Sequence, residues 1–301
     1  MNGSNGLHRR ASPHLPMVVI GVTYKSNLDA LRLARQVLQE KAGERPFLVL
    51  VDNSEVSNLE SVLSDLDSHQ SEIIIHRPGH NLGYFGGAAS ALQEFLLTHE
   101  WPEWVIVCNV DLFLYGESFF VRLMRYGESH THAVIAPTII SGVSGRDQNP
   151  FMSTRPTSLR MNFYKAIFQW YPTLWLYSVM HVMKERSRKL LKPLGTEAME
   201  PGLYVEPVPI YAGHGAFLAF RKSYFESGGS LHHGAFLYGE EVFVAETARR
   251  AGSSVAYDPR LRVHHEEHKT IGVWPTRLMA SRMKEAAAYC ADTFFGTIES
   301  I

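Results

Sequence analysis

The 301-residue chain has only two cysteines, Cys108 and Cys290. That excludes a disulfide framework. One sits in an apolar run and the other in a helical pattern, so they read as buried free thiols of a reducing cytosol. Neither sign of charge is in excess: 29 Lys+Arg against 30 Asp+Glu leave −1, without the basic surplus of a nucleic-acid binder. No stretch approaches the ~20 mostly apolar residues of a membrane span. The best, residues 174–183, contains Ser178 and His181 and runs into Lys184, Glu185 and Arg186. The N-terminus lacks the apolar segment of a signal peptide, and residues 1–16 read as a loose tail. What remains is the composition of an ordinary soluble globular protein, 45% apolar and 20% charged, too apolar for disorder. The length suits two domains, or one α/β domain with an insertion.

Apolar runs at 18–22, 47–51, 73–75, 104–108 and 133–136 alternate with helical spacing at 27–38, 59–66 and 88–97. Continuous apolar strands separated by helices predict a parallel sheet covered on both faces. Ligands bind such sheets at the carboxyl ends of the strands. The polar residues there are Thr23 and Tyr24, Asp52 and Asn53, Arg77, Asn109 and Asp111. The pattern then changes. Residues 141–158 are turn-rich, and 159–193 read as helix interrupted at Pro172. Over 151–193 eight bases face the single acid Glu185, interleaved with aromatics. Strand-like runs return at 203–210 and 215–220, with a helix at about 240–252 and short strands near Val255 and Val263. An amphipathic helix is expected in the last 25 residues.

Four stretches can carry chemistry. Asn109-Val110-Asp111 ends an apolar strand in a carboxylate, which is costly to bury unless it is paired or bound to a cation. A hard divalent ion bridging a diphosphate uses such an oxygen; a turn cap is the alternative. Glu240 and Glu241 open a helix after Phe236 and Tyr238, where apolar surroundings raise a carboxyl pKa toward general-base range. First-turn acid enrichment explains the pair equally well. Residues 264–268, His-His-Glu-Glu-His, spell a zinc-peptidase pattern through His264 and His268, but that pattern needs a helix. Here Asp258-Pro259 and the alternation of Leu261 and Val263 predict a strand. A single histidine, His265, sharing a metal with Asp111 is the more economical reading. Finally, Asn81 and Gly83 lie in a glycine-rich turn leading into a helix, suited to close backbone approach and to phosphate, or simply to a tight turn.

Taken in order, Val22-Thr23-Tyr24, Val51-Asp52-Asn53-Ser54, the 81–87 turn, Asn109-Val110-Asp111, Gly215-Ala216, Tyr238-Gly239-Glu240-Glu241 and His265 resemble glycosyltransferase family 2. The likeness is greatest to its rhamnosyltransferase-like members of bacterial surface-polysaccharide synthesis. The resemblance spans about residues 17–272. It implies the GT-A fold: a Rossmann-like, mostly parallel central sheet flanked by helices, with a helical insertion and a C-terminal helix. It divides the chain into a tail (1–16), one catalytic domain (17–272) and a terminal helix (273–301). Within the domain lie a nucleotide-sugar half (17–140), a loop and helical insertion (141–202) and an acceptor half (203–272).

The resemblance also implies an inverting transfer from a nucleotide-diphosphate sugar to a hydroxyl of a glycan or lipid-linked glycan, with Mg²⁺ or Mn²⁺. Thr23, Tyr24 and Asp52 would hold the base. Asn53, Arg77, Asn81, Gly83, Asn109, Val110, Gly215 and Ala216 would line the rest of the donor site. Asp111 and His265 would hold the metal. Glu241 would be the base, with Glu240 the alternative, because Glu241 stands where the family commonly has Asp. Asn109 replaces the first acid of the family's Asp-x-Asp. The expected location is the cytoplasm, peripheral to the membrane if 159–193 is an interfacial helix. A homo-oligomer contact or packing on its own domain would also explain that segment. A non-catalytic nucleotide-sugar-binding module is the competing class, and a zinc hydrolase a distant third.

Overall fold

The structure is a computed structural model. It describes residues 16–39, 46–64, 66, 73–116, 119–126, 132–190, 206–267 and 276–296, the side chains of 181–190 excepted. The expected tail, His268, the start of the expected 203–210 strand and the 272/273 boundary lie outside these residues.

A nine-stranded sheet organises the chain in the order β3-β2-β1-β4-β8-β6-β9-β5, with β7 also pairing β9. The strands are β1 (Met17–Thr23), β2 (Phe47–Asp52), β3 (Ile73–His76), β4 (Trp104–Asn109), β5 (Leu112–Tyr115), β6 (Val134–Ser141), β7 (Val208–Ile210), β8 (Phe217–Arg221) and β9 (Val255–His265). The first four strands to the β4 boundary pair in parallel. β8 then runs antiparallel to both β4 and β6. β6 and β9 are parallel, while β5 and β7 oppose β9. The sheet is therefore mixed but mostly parallel: β1, β2, β3, β4, β6 and β9 share one direction.

Alternation on the central strands explains the layers. Along β4, Val105 and Val107 join one apolar cluster, and Trp104, Ile106 and Cys108 the other. Successive side chains of a strand point to opposite faces, so a strand apolar at every position must be covered on both. The first cluster is completed by α3 (Tyr84–Phe95), α8 (Glu240–Arg250) and α9 (Arg277–Phe294). The second is completed by α1 (Asn27–Gln39), α2 (Leu59–Leu63) and α4 (Phe119–Tyr126). Residues 141–190 supply α5 (Ser158–Phe168) and α6 (Tyr171–Leu190), and β8 is followed by the short α7 (Lys222–Glu226). Pro172 sits in the first turn of α6, where its missing N–H costs nothing, so the break falls just before it.

Two expectations change. The strands read separately near Val255 and Val263 are one eleven-residue β9, whose register against β6 shifts between Pro137 and Thr138. The bulge takes up Pro259-Arg260-Leu261, between the register pairs Pro137–Asp258 and Thr138–Arg262. β5 and α4 were not legible. Four residues after a turn, only Leu112 of them buried, carry too short a period to register.

Candidate functional site

The carboxyl ends of β1, β2, β3, β4, β6 and β9 meet at one edge of the sheet. At the β1–β2 end, Thr23 and Asp52 are register partners. Asp52 Oδ1 accepts from the Ser54 N–H at 3.1 Å. Its buried Oδ2 lies 3.7 Å from Arg77 Nε. Among the described residues neither Asp52 Oδ2 nor Thr23 Oγ1 has a hydrogen-bond partner, although both are buried. Buried polar atoms are nearly always paired, so two orphans side by side mark a place for a ligand donor and acceptor. Tyr24 lies at the mouth, its hydroxyl donating to Glu55 and its ring 4.7 Å from Lys25 Nζ.

Asn53 and the 81–87 turn form a built unit. Asn53 Nδ2 donates to Gly83 O at 2.8 Å, and its Oδ1 accepts from Leu82 N. Asn81 Oδ1 accepts from Gly83 N at 2.9 Å. Gly83 has φ +77, and a Cβ there would lie 1.9 Å from Phe236 O, so only glycine fits. The Asn53 amide is thereby spent on holding the turn.

Asp111 follows β4 by two residues and directly precedes β5. The antiparallel β5–β9 pair sets Leu112 opposite His265. His265 Nε2 consequently lies 3.3 Å from Asp111 Oδ1 and 3.4 Å from Asn109 Nδ2. Its Nδ1 faces Gln148 Oε1 at 3.0 Å. Gln148 is oriented in turn by donating to Glu267, which also accepts from Ser141. With the Nδ1 proton given to Gln148, a neutral ring turns the Nε2 lone pair toward a carboxylate oxygen. That arrangement needs a proton or a cation between them, and an imidazole whose other nitrogen is held this way is the usual form of a metal ligand. No cluster of three or more His, Cys, Asp or Glu is found among the described residues. The chain thus offers two donors, which fits a hard cation completing its shell with ligand oxygens and water. It does not fit a structural zinc site, which needs four. His264 faces away, its ring tilted against Phe113 and edge-on to Tyr115. Residues up to 265 are strand, so the helix that a peptidase pattern requires is absent there.

The third group is the start of α8. Tyr238 (φ +70) and Gly239 (φ +81) are both left-handed; the tyrosine is held there by His233 Nε2–H donating to its carbonyl at 2.8 Å. Glu240 is buried and Glu241 half-buried. Burial raises both carboxyl pKa values, and for Glu240 the neighbouring Glu241 charge adds to the rise. Glu241 Oε1 accepts from Gly215 N–H at 3.2 Å, which favours its anion. The two carboxyls are coupled: burial disfavours ionising either, and the charge of Glu241 disfavours that of Glu240.

Residues 213–216 join the parts. Asn109 N–H donates to Ala216 O at 2.9 Å, Gly215 N–H binds Glu241, and Tyr84 OH donates to Gly215 O at 2.8 Å. The strand end bearing Asp111 and the helix bearing Glu241 are tied to adjacent peptides. His214, between Asn149 and His265, accepts at Nδ1 from Ala216 N–H. Its pKa is pushed down to about 4 by burial and by His265. Sequence reasoning missed Tyr84, Gln148, Asn149 and His214. The first sits inside the glycine-rich turn, where it was legible; the others lie in loops that carry no period.

The sheet order, the flanking helices and the site at the carboxyl edge define the GT-A fold. No family model matches the sequence, and no curated protein matches it. Among solved structures the chain is similar to the crystal structure of GalNAc-T7 with UDP, GalNAc and Mn²⁺ (TM-score 0.54, 16% identity, covering 88% of this chain and 46% of that one). It is similar to a mycobacterial protein (0.51, 13%, 93% and 74%). It also matches the mannosyltransferase PcManGT from Pyrobaculum calidifontis, in complex with GDP-Man and Mn²⁺ (0.48, 14%, 84% and 57%). The chain spans about half the length of GalNAc-T7 and of PcManGT. At these identities the likeness is one of fold.

Proposed function

We propose that the protein is an inverting glycosyltransferase that moves a sugar from a nucleotide-diphosphate sugar to a hydroxyl of a glycan or lipid-linked glycan. We place it with the rhamnosyltransferase-like members of family 2 in bacterial surface-polysaccharide synthesis. It acts in the cytoplasm as one catalytic domain with a nucleotide half, a helical insertion and an acceptor half. The observation that carries this reading is the juxtaposition at one sheet edge of three things: orphaned Thr23 Oγ1 and Asp52 Oδ2, the Asp111–His265 pair, and a buried carboxyl pair tied to Gly215. GalNAc-T7, of the same fold, was crystallised with UDP and Mn²⁺, which supports a nucleotide and a divalent cation.

Thr23, Tyr24 and Asp52 hold the base, with Arg77 at its edge. The 81–87 turn, fixed by Asn53, and residues 109–110 and 215–216 shape the donor cleft. Glu241 takes the proton of the acceptor hydroxyl as its oxygen bonds to C1 and the C1–diphosphate bond breaks. Burial brings Glu241 closer to the operating pH, and the Gly215 N–H aims it. Glu240, protonated, spares the site a second charge. Asp111 and His265 would hold Mg²⁺ or Mn²⁺, which would neutralise the departing diphosphate.

The test is a thermal-shift screen of nucleoside diphosphates with and without Mn²⁺. One nucleotide should raise Tm, more so with metal. In Asp111→Asn the metal-dependent part should vanish; if the nucleotide affinity at saturating Mn²⁺ is unchanged, the metal assignment is wrong. A nucleotide that binds without any transfer or donor hydrolysis would instead mark a non-catalytic binding module.

A further inference from the structure

The α5–α6 hairpin has two unlike faces. Its inner face is satisfied by its own domain. Met161 and Leu174 are buried; Tyr164 and Phe168 stack, and both meet the Tyr177 ring edge-on; and Lys165 pairs with Asp292 of α9. Its outer face is open to solvent. Leu159, Phe163, Trp170, Trp175, Leu176 and Met180 are exposed, Trp170 by 69% and Met180 by 62%. Single exposed apolar residues are ordinary, but a run of them along one hairpin marks an interaction surface.

Charge identifies the partner. Residues 159–193 contain seven bases and one acid. They carry +6 in a chain whose total is −1, so the rest of the molecule carries −7. A symmetric dimer would bring this patch against itself and set like charges together. An aromatic and aliphatic face with a basic end is instead the pattern that seats a helix in an anionic lipid interface, where tryptophan sits at the headgroup level. Among the described residues no helix is long and apolar enough to cross a membrane, so the contact is one of lying on the surface.

We infer that the outer face of the α5–α6 hairpin is a docking surface for an anionic membrane. The hairpin is tethered to the site by the segment that precedes it. Gln148 faces His265, Asn149 accepts from His214 N–H, Phe151 packs edge-on to His214, and Arg155 pairs with Glu246 of α8. Docking therefore brings the sheet edge to the lipid surface. Only this last consequence, delivery of a lipid-linked acceptor, rests on the glycosyl-transfer reading; the docking does not.

The test is co-sedimentation of the full chain, without nucleotide, with phosphatidylcholine vesicles containing one third phosphatidylglycerol, compared with phosphatidylcholine alone. The protein should bind the anionic vesicles, release as salt rises, and show a blue-shifted, lipid-quenched tryptophan emission. Arg186→Glu with Arg188→Glu should weaken binding about tenfold or more. Trp170→Ser with Trp175→Ser should abolish the spectral shift. Should these lower Tm, Leu176→Ser with Met180→Ser serves as the second pair. No binding at low salt overturns the inference, as does binding indifferent to both sets of variants. It is overturned equally by a dimer in sedimentation equilibrium that these variants dissociate, or by retention on single-stranded polynucleotide but not on vesicles. The nucleotide thermal shift reads the other site, so either result can fail alone.

Discussion

The two halves of the sheet place their candidate residues by different means. β1, β2 and β3 are each followed by a helix, and β1 to β4 pair in parallel, so Thr23, Asp52 and Asn109 arrive at one edge by strands of one direction. Beyond β4, antiparallel pairing does the work. β5 against β9 carries His265 across 154 residues of chain to Asp111, and the β8 approach carries Gly215 to Glu241. The first half presents two buried oxygens, Thr23 Oγ1 and Asp52 Oδ2, with no hydrogen-bond partner among the described residues. The second presents side chains held in place by other groups of the protein: His265 by the Gln148 side chain, Glu241 by the Gly215 backbone N–H, Glu246 by the Arg155 guanidinium. In the proposed reading, the first half binds the donor and can be open at its edge because the ligand would complete it. A half that does acid–base chemistry must hold its carboxyls before the substrate arrives.

The sharpest break between the halves is functional. Glu241→Gln keeps shape and removes basicity, and should lower kcat by ~10²–10⁴ while leaving the nucleotide-induced Tm shift intact. If Glu240→Gln is the inactive variant and Glu241→Gln the active one, the base has been misassigned. If Glu241→Gln also loses the nucleotide shift, the division into halves fails.

A smaller effect falls on stability. Glu246 is fully buried; burial pulls its pKa up, but Arg155, Arg249 and Tyr211 outweigh that and hold it below the ordinary value. Arg155→Ala removes one of two cations from a buried acid, and unpairing such a group costs about 3–5 kcal/mol. With Arg249 remaining, the loss should be at the lower end or under it, read as a fall in urea midpoint at unchanged m. An unchanged midpoint would show that Arg249 alone suffices.

The smallest effect is a slope. Glu240 has its pKa raised by burial and by Glu241. Between the unfolded carboxylate value and the raised one, the native state binds more protons than the unfolded state, so stability falls as pH rises there. Glu240→Gln removes this loss. The variant should match the parent in mild acid and exceed it toward neutral pH by a few degrees of Tm. A gap that is constant with pH would mean that Glu240 is already ionised in the native protein.

Much was legible before folding was considered. Apolar runs bounded by polar residues are a local signal, so five strands (β1, β2, β3, β4 and β6), the helices between the first four, and Thr23, Asp52 and Asp111 at or just beyond strand ends could be read directly. The glycine-rich turn could be read because φ > 0 is written in residue type. The doublet Glu240-Glu241 could be found, but the stripe that Glu241 shares with Val244, Ala245 and Ala248 reads it as the packed member, whereas Glu240 is the more buried. Both lie in the first turn, and which is buried depends on α9 and residues 213–216.

What the sequence alone determined is therefore the set of groups and their order: an α/β sheet, carboxylates at strand ends, an acidic helix start, a basic aromatic insertion. Only the tertiary structure decided who meets whom. β5 is four residues long, β9 bridges a Pro-containing bulge, and Gln148 and His214 lie in loops without periodicity. Their positions are set by pairing between strands more than a hundred residues apart. Pairing of that kind depends on the register of the whole sheet, which no local pattern of residues can specify.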